Sequence, residues 1–158
     1  MATRCSLAAA LAVTLLAVPA AAQESYPIRP ITLVVGYAPG GVTDATARLL
    51  TEIALHKIVT PQRCDQMLEL LHRDMTTKSK GPDDQAHGFS AMILPPEAKL
   101  WSKAGWTSTA RHDAAYFELP DGTKATVVVF TTGHANQRQI LPAIVKQIIA
   151  GLQSGGGK

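Results

Sequence analysis

Residues 98–131 read AKLWSKAGWTSTARHDAAYFELPDGTKATVVVFT, and the strands and turns of this stretch determine the predicted architecture. Apolar and β-branched side chains are concentrated in residues 98–103, 113–119 and 125–131, and each run has a length typical of a strand. The Pro120-Asp-Gly-Thr123 segment is a turn signal, because proline fixes one turn dihedral and glycine adopts a positive φ without strain. The stretch therefore predicts a three-stranded antiparallel sheet.

Two helices are predicted before the sheet, and the second of them is expected to pack against it together with the last helix of the chain. The first covers residues 44–56. The second begins at Thr60-Pro61, where a capping threonine precedes a proline whose missing N–H is not needed at the first helical position. The apolar stripe of this second helix consists of Cys64, Met67, Leu68, Leu71 and Met75. Helices against an antiparallel sheet make the predicted fold class α/β (α+β).

The remaining segments include one more helix. Residues 139–152 are predicted to be helical, with Pro142 in the first turn, where proline is tolerated. Their apolar stripe consists of Leu141, Ile144, Val145, Ile148 and Leu152. Residues 76–90 are polar without periodicity and are predicted to form a loop. Residues 31–35 predict a short strand with no evident partner, and residues 153–158 predict a disordered glycine-rich tail.

The start of the chain has the parts of a cleavable secretory signal peptide. Arg4 supplies a positive charge, and the uncharged apolar run of residues 7–18 is shorter than the ~20 residues of a membrane-spanning helix. Ala20 and Ala22 match the small-residue rule for cleavage. We therefore expect residues 1–22 to be removed, a periplasmic or secreted location, and no stable membrane anchor.

Charge and cysteine content exclude several classes of function. The net charge of +3 falls to +2 without Arg4 and is spread along the chain, so no nucleic-acid partner is expected. Cys5 belongs to the signal peptide, so Cys64 has no partner for an internal disulfide and is predicted to be a buried core thiol. The five histidines lack metal-ligand spacing, and no complete dinucleotide fingerprint occurs, so neither a metal nor a cofactor is expected.

Residues 26–50 carry the first of two family resemblances. The segment Tyr26-Pro-Ile-Arg-Pro-Ile-Thr-Leu-Val-Val-Gly-Tyr-Ala-Pro-Gly-Gly-Val-Thr-Asp44, followed by Ala47-Arg-Leu-Leu50, resembles the start of tripartite-tricarboxylate-type periplasmic solute receptors. Backbone N–H groups of a glycine loop at a helix N-terminus can bind a carboxylate, because the helix dipole favours negative charge there. The resemblance implies a ligand loop of Pro39, Gly40, Gly41, Thr43 and Asp44. A tight turn leading into a helix is the alternative interpretation.

Residues 51–152 carry the second resemblance, to the carboxy-terminal half of class A β-lactamase-like serine hydrolases. The matching segments are Val59-Thr-Pro-Gln62, Met67-Leu-Glu-Leu-Leu71, Leu94-Pro-Pro96, Lys103-Ala-Gly-Trp106, Arg111-His-Asp-Ala-Ala115, Leu119-Pro-Asp-Gly122 and Val127-Val-Val-Phe130. This resemblance implies a partial β-lactamase/transpeptidase-like fold that uses no cofactor and handles a small acyl compound.

The same resemblance implies a substrate-binding strand at Lys103-Ala104-Gly105-Trp106. In the family a Lys-Thr-Gly strand lines the active site, and its lysine presents a positive charge to the carboxylate of the substrate. Gly105 would permit close approach, and the N–H of Trp106 would be an oxyanion-hole donor. Ala104 departs from the pattern, because it lacks the hydroxyl group of the middle position.

The catalytic elements that the family requires are incomplete in this sequence. No Ser-x-x-Lys occurs, and the nearest imitation, Thr77-Lys-Ser-Lys80, lies in the polar loop. Ser-Asp-Asn is also absent, because the only asparagine is Asn136 and it follows an alanine. Neighbours on a strand point to opposite faces, so His112 and Asp113 are not expected to share a hydrogen bond.

Three hypotheses about function follow from these patterns. The first is an exported β-lactamase-related domain that is catalytically incomplete. The second is a periplasmic protein that binds a carboxylate at Gly40-Gly41. The third is a non-functional gene fusion, joined near Leu50. Part of a hydrolase domain would expose apolar surface, so self-association is expected for the first and third hypotheses.

Overall fold

The computed structural model describes residues 32–35, 41–81 and 83–155. Its elements in chain order are β1 (Thr32–Val35), α1 (Val42–Ala54), α2 (Pro61–Leu71), β2 (His72–Arg73), a 3₁₀ helix (Phe89–Ile93), β3 (Lys99–Trp106), β4 (Arg111–Glu118), β5 (Lys124–Phe130) and α3 (Ile140–Gly155). The predicted signal peptide, together with Pro39 and Gly40 of the predicted ligand loop, lies outside the described residues.

The sheet has the strand order β1-β5-β4-β3-β2. Its centre is the antiparallel set β3, β4 and β5, which confirms the α/β (α+β) prediction. The predicted count of three strands was too low, because the two-residue strand β2 pairs with β3. The prediction of a strand without a partner was also wrong, since β1 pairs in parallel with β5 from Thr32↔Ala125 to Val35↔Val128. Both additions are pairings between distant segments, which local sequence patterns do not reveal.

The turn between β4 and β5 has the predicted geometry. The N–H of Gly122 donates to the carbonyl of Leu119 at 2.9 Å, and the N–H of Leu119 donates to the carbonyl of Thr123 at 2.8 Å. Gly122 has φ of +82°, which is the conformation that its lack of a Cβ permits. The strands before it are longer than predicted, since β3 continues to Trp106 and β4 begins at Arg111.

The two faces of the sheet are covered by different helices. One face packs against α3 and the 3₁₀ helix, with a core that includes Leu100, Phe117, Val127 and Val145. The other face packs against α1, with a core that includes Ala47, Leu50, Ala114, Tyr116 and Val128. Alternate residues of each strand therefore contribute to opposite cores, as the strand repeat of two requires.

The predicted stripe of α2 does not match its burial. Cys64 is buried, as predicted for a core thiol. Met67 is 37% exposed, Leu68 and Leu71 are half-buried, and Met75 lies beyond the end of the helix at Leu71. A helical repeat identifies residues that share a face, but it does not identify what covers that face. Helices α1 and α3 cover the two faces of the sheet, whereas α2, which was predicted to pack on it, fully buries only Cys64.

The last helix, α3, follows its prediction closely. Pro142 lies in the first turn, Leu141 and Val145 are fully buried, and the other members of the stripe are half-buried. The helix also includes residues 153–155, which the sequence assigned to the tail. Within the ranges that the structure describes, no helix combines the length and the apolar character needed to cross a membrane.

Candidate functional site

The predicted substrate strand is β3, and its four key residues alternate between the two faces of the sheet. Lys103 pairs with Ala114, whose side chain belongs to the core beneath α1. Ala104 is buried on the opposite face, together with Phe89 and Leu141. The Trp106 ring lies on this second face, 5.5 Å from the ring of Phe89, and is 46% exposed. The side chains of Lys103 and Trp106 therefore leave the strand on opposite faces.

The outer edge of β3 is covered by two side chains that precede it in sequence. Strand β2 pairs only with Leu100 and Trp101 of β3. Beyond that point, Arg73 donates to the carbonyl of Ser102 at 2.5 Å, and the N–H of Ala104 donates to Oε1 of Gln85 at 2.9 Å. These two bonds show which backbone groups of β3 face outward. The N–H and C=O groups of its even-numbered residues point away from β4.

The ammonium of Lys103 reaches the same edge of β3. Its Nζ donates a hydrogen bond to the carbonyl of Ala104. Because the strand repeats every two residues, the N–H of Trp106 points to this edge as well. A cation and a backbone donor thus lie beside each other at the open end of the strand. The sequence-based prediction assigns the carboxylate of a substrate to this cation and its carbonyl oxygen to this donor.

Sequence reasoning missed Arg73 and Gln85, which complete this edge. Gln85 lies in the predicted polar loop, and Nη2 of Arg73 also approaches its Oε1 at 3.3 Å. The contacts span 19 residues from Gln85 to Ala104 and 29 residues from Arg73 to Ser102. No local motif marks such contacts. In the sequence, a polar loop residue that binds a strand cannot be told from one that binds water.

The serine closest to a carboxylate is not arranged as a nucleophile. Ser90 Oγ donates to Oδ2 of Asp113 at 2.5 Å, but Ser90 is 1% exposed and Asp113 is 2% exposed. Burial raises the pKa of Asp113, while the hydrogen bonds from Ser90 oppose that rise. The hydroxyl of Ser90 is buried and cannot reach a substrate, so this pair does not supply a nucleophile.

The other predicted polar pairs do not form a catalytic arrangement either. His112 Nδ1 accepts a hydrogen bond from the N–H of Thr131 at 3.0 Å, so His112 and Asp113 have separate partners, as predicted. Both belong to β4, a strand of the β4–β5 hairpin. Ser79 of the Thr77–Lys80 segment donates to the carbonyl of Gly81 in the exposed loop.

The alternative ligand loop is described only from Gly41 onward. Gly41 is the N-cap of α1, and Thr43 and Asp44 lie in the first turn, where each is 7% exposed. The Asp44 carboxylate accepts hydrogen bonds from Nε of Arg48 at 3.0 Å. A negative side chain therefore already lies in the positive field of this helix N-terminus, which disfavours a second anion there.

The described residues also bear on metal binding. Among residues 41–81 and 83–155, no three side chains of histidine, cysteine, aspartate or glutamate are grouped so that they could hold a metal ion.

Comparison with known proteins gives one family and several related structures. The model of the β-lactamase enzyme family matches residues 42–150. A β-lactamase from Sphaerobacter thermophilus DSM 20745 superimposes with a TM-score of 0.53 at 23% identity, over 72% of this chain and 40% of the other. PBP-A gives a TM-score of 0.54 at 14% identity, over 70% of this chain and 39% of the other. A mutant of PBP-A in an acyl-enzyme complex with penicillin G gives 0.55 at 14% identity, with the same coverage.

The related structures are longer than this chain. The chain spans about 40% of the length of the related structures. No match was found among the curated proteins. None of the matches above is a solute receptor, and the family match already includes Thr43 and Asp44 of the alternative ligand loop.

Proposed function

The chain belongs to the β-lactamase enzyme family, and we propose that it is an exported domain that binds a penicillin-like acyl carboxylate without hydrolysing it by itself. The binding site is the open edge of β3 at Lys103 and Trp106. Export is proposed from the signal-peptide pattern of residues 1–22. The receptor-like residues before Val42 are proposed to be the remnant of a gene fusion with no ligand site of their own.

The position of the Lys103 ammonium at the strand edge carries this proposal. Its Nζ is bound only to a backbone carbonyl among the described residues, so the charge has no carboxylate partner there. A charge-assisted hydrogen bond to a carboxylate is stronger than one to a neutral carbonyl. The adjacent N–H of Trp106 is a suitable donor for the carbonyl oxygen of an acyl group.

The lack of hydrolysis follows from the chemistry of the hydroxyl groups. A serine becomes a nucleophile only when a neighbouring base removes its proton. The sequence contains no Ser-x-x-Lys, and the Ser90–Asp113 pair is buried beneath the sheet face that carries Trp106. Ground-state binding of an acyl compound is therefore expected without an acyl-enzyme intermediate.

Titration calorimetry with penicillin G tests the proposed site. Replacing Lys103→Ala is expected to weaken binding roughly tenfold or more, because charge-assisted hydrogen bonds contribute ~1.5–3 kcal/mol. The matched control is Lys99→Ala, an exposed lysine at the other end of the same strand, which should leave the affinity unchanged. Equal affinities for the wild type and both variants, or no binding by the wild type, would contradict the proposed site.

A further inference from the structure

The buried carboxylate of Asp113 and the guanidinium of Arg73 lie on the same face of the sheet. Arg73 is paired with Leu100 of β3, whose side chain belongs to the core beneath α3. Asp113 is paired with Ala104, which is buried on that same face. Between these two pairings, β3 presents only the small side chain of Ser102 to this face. No bulky side chain of β3 therefore separates the two charged groups.

Each of the two groups has a buried atom without a hydrogen-bond partner among the described residues. On Arg73 this atom is the donor Nε, and on Asp113 it is the acceptor Oδ1. Burial raises the pKa of Asp113, while the hydrogen bonds from Ser90 and the positive charge of Arg73 oppose that rise. Because a charge away from water is costly unless an opposite charge lies near it, Asp113 is a counter-charge for the half-buried Arg73.

The other end of the Arg73 guanidinium holds the outer edge of β3 and the loop beside it. Its Nη2 donates to the carbonyl of Ser102 at 2.5 Å and to Oε1 of Gln85 at 3.3 Å. The same Oε1 accepts the N–H of Ala104 at 2.9 Å. One cation therefore fixes two outward-facing backbone groups of β3, one directly and one through Gln85, beyond the point where β2 pairs. A guanidinium suits this role, because its planar set of donors holds several acceptors at fixed angles.

We propose that Arg73 is the positioning residue of the binding edge and that Asp113 holds its guanidinium from the interior. Arg73 fixes the part of β3 immediately before Trp106, whose N–H is the proposed donor to the acyl carbonyl. It also fixes Ala104, whose carbonyl the Lys103 ammonium contacts. This role rests on the proposed function, because Lys103 and Trp106 are the groups that are positioned. It assigns a task to two buried charges that lie outside the ligand site.

Hydrogen exchange of the Ala104 N–H, followed by NMR, measures the order of this edge without any ligand. Replacing Arg73→Ala should accelerate the exchange roughly tenfold or more, because Oε1 of Gln85 loses the charged donor that holds it. Guanidinium ions at millimolar concentration should restore the protection, since the half-buried site of the lost side chain is open to a small solute, and sodium ions should not. His72→Ala, at an exposed position of the same strand, is the matched control and should leave the exchange unchanged.

Replacing Asp113→Asn tests the interior anchor. This change removes the negative charge but keeps the size of the side chain, so the Ala104 N–H should exchange several-fold faster. Combined with Arg73→Ala, it should add no further acceleration, because the carboxylate acts on the edge only through the guanidinium. Independent, additive effects of the two replacements would contradict the proposed coupling.

Calorimetry with penicillin G connects the ordered edge to binding. Arg73→Ala should weaken the binding several-fold, and guanidinium ions should restore it. A wild type that binds no penicillin G would overturn the proposed function, whereas the exchange measurements would still decide whether Arg73 orders the edge. Unchanged exchange in Arg73→Ala, no rescue by guanidinium, or wild-type affinity in this variant would overturn the positioning role. Should Arg73→Ala fail to fold, Gln85→Ala removes the acceptor of the Ala104 N–H and should accelerate exchange and weaken binding in the same way.

Discussion

Asp84 organises the polar loop that carries Asp83 and Gln85. Its carboxylate accepts hydrogen bonds from the N–H of Lys80 at 2.9 Å and from the N–H of Ala86 at 3.0 Å, and it lies 3.0 Å from Nδ1 of His87. These contacts, with the Lys80 bond first, lower the pKa of Asp84 to about 2. The Asp84 contact in turn raises the pKa of His87.

The charge of Asp84 is expected to hold this loop in place over a defined pH range. Because its pKa is lower in the folded state, its contribution to stability is present above 3.8 and is lost as the pH falls towards 2. An NMR titration should show a carboxyl midpoint near pH 2, with the N–H signals of Lys80 and Ala86 shifting at the same midpoint. A midpoint at 3.8 or above would show that these hydrogen bonds do not form in solution.

The candidate site illustrates which residues sequence reasoning can identify. Lys103 and Trp106 were predicted because a short motif within one strand resembles a family pattern. Arg73 and Gln85 at the strand edge were missed because each acts across a long stretch of chain. Their roles depend on the path of a loop, and a loop without periodicity does not encode its path in a local pattern.

Helices and strands were predictable where the sequence pattern that indicates them lies within the element itself. The β4–β5 hairpin was predicted from its turn sequence, and α3 was predicted from its apolar helical repeat. In both cases the signal lies within the element itself. The pairing of β1 with β5 was not predictable, because it joins segments about ninety positions apart in the sequence. For α2, the repeat was identified correctly but its burial was not, since burial depends on a packing partner.

Two glycine-to-alanine replacements, one in the β4–β5 turn and one in α3, are expected to change the free energy of unfolding in opposite directions. Replacing Gly122→Ala should reduce the free energy of unfolding by ~1–2 kcal/mol, because a Cβ is strained at its positive φ. Replacing Gly151→Ala in α3, where an added Cβ meets no atom within 4 Å, should increase it by ~0.5–1 kcal/mol. Urea unfolding measures both. A Gly122→Ala variant as stable as the wild type would contradict the turn geometry.

At the scale of the whole molecule, one surface is unusually apolar. Helices α1 and α2 and their connection expose large apolar side chains, namely Val42, Leu49, Ile58, Val59, Met67 and Leu70. A mainly apolar groove of about 260 Å³ is lined by Leu49 together with Leu50, Ile53, Leu71 and Lys103. Exposed apolar surface of this kind promotes association.

Self-association through this surface is the expected consequence. Sedimentation velocity should show the average mass rising with protein concentration, and Leu70→Lys should shift the distribution towards the monomer. Gln62→Lys adds the same charge at an exposed polar position of the same helix and should have a smaller effect. A wild type that stays monomeric at all concentrations would contradict this expectation.

We propose that the chain retains an acyl-binding strand edge without an activated hydroxyl group. The decisive test of this claim is nitrocefin hydrolysis by the purified chain, measured with and without a serine-reactive inhibitor. We expect a rate equal to that of the buffer alone, with or without the inhibitor. Hydrolysis above this background that the inhibitor abolishes would contradict the claim, because it would require a serine activated by a neighbouring base.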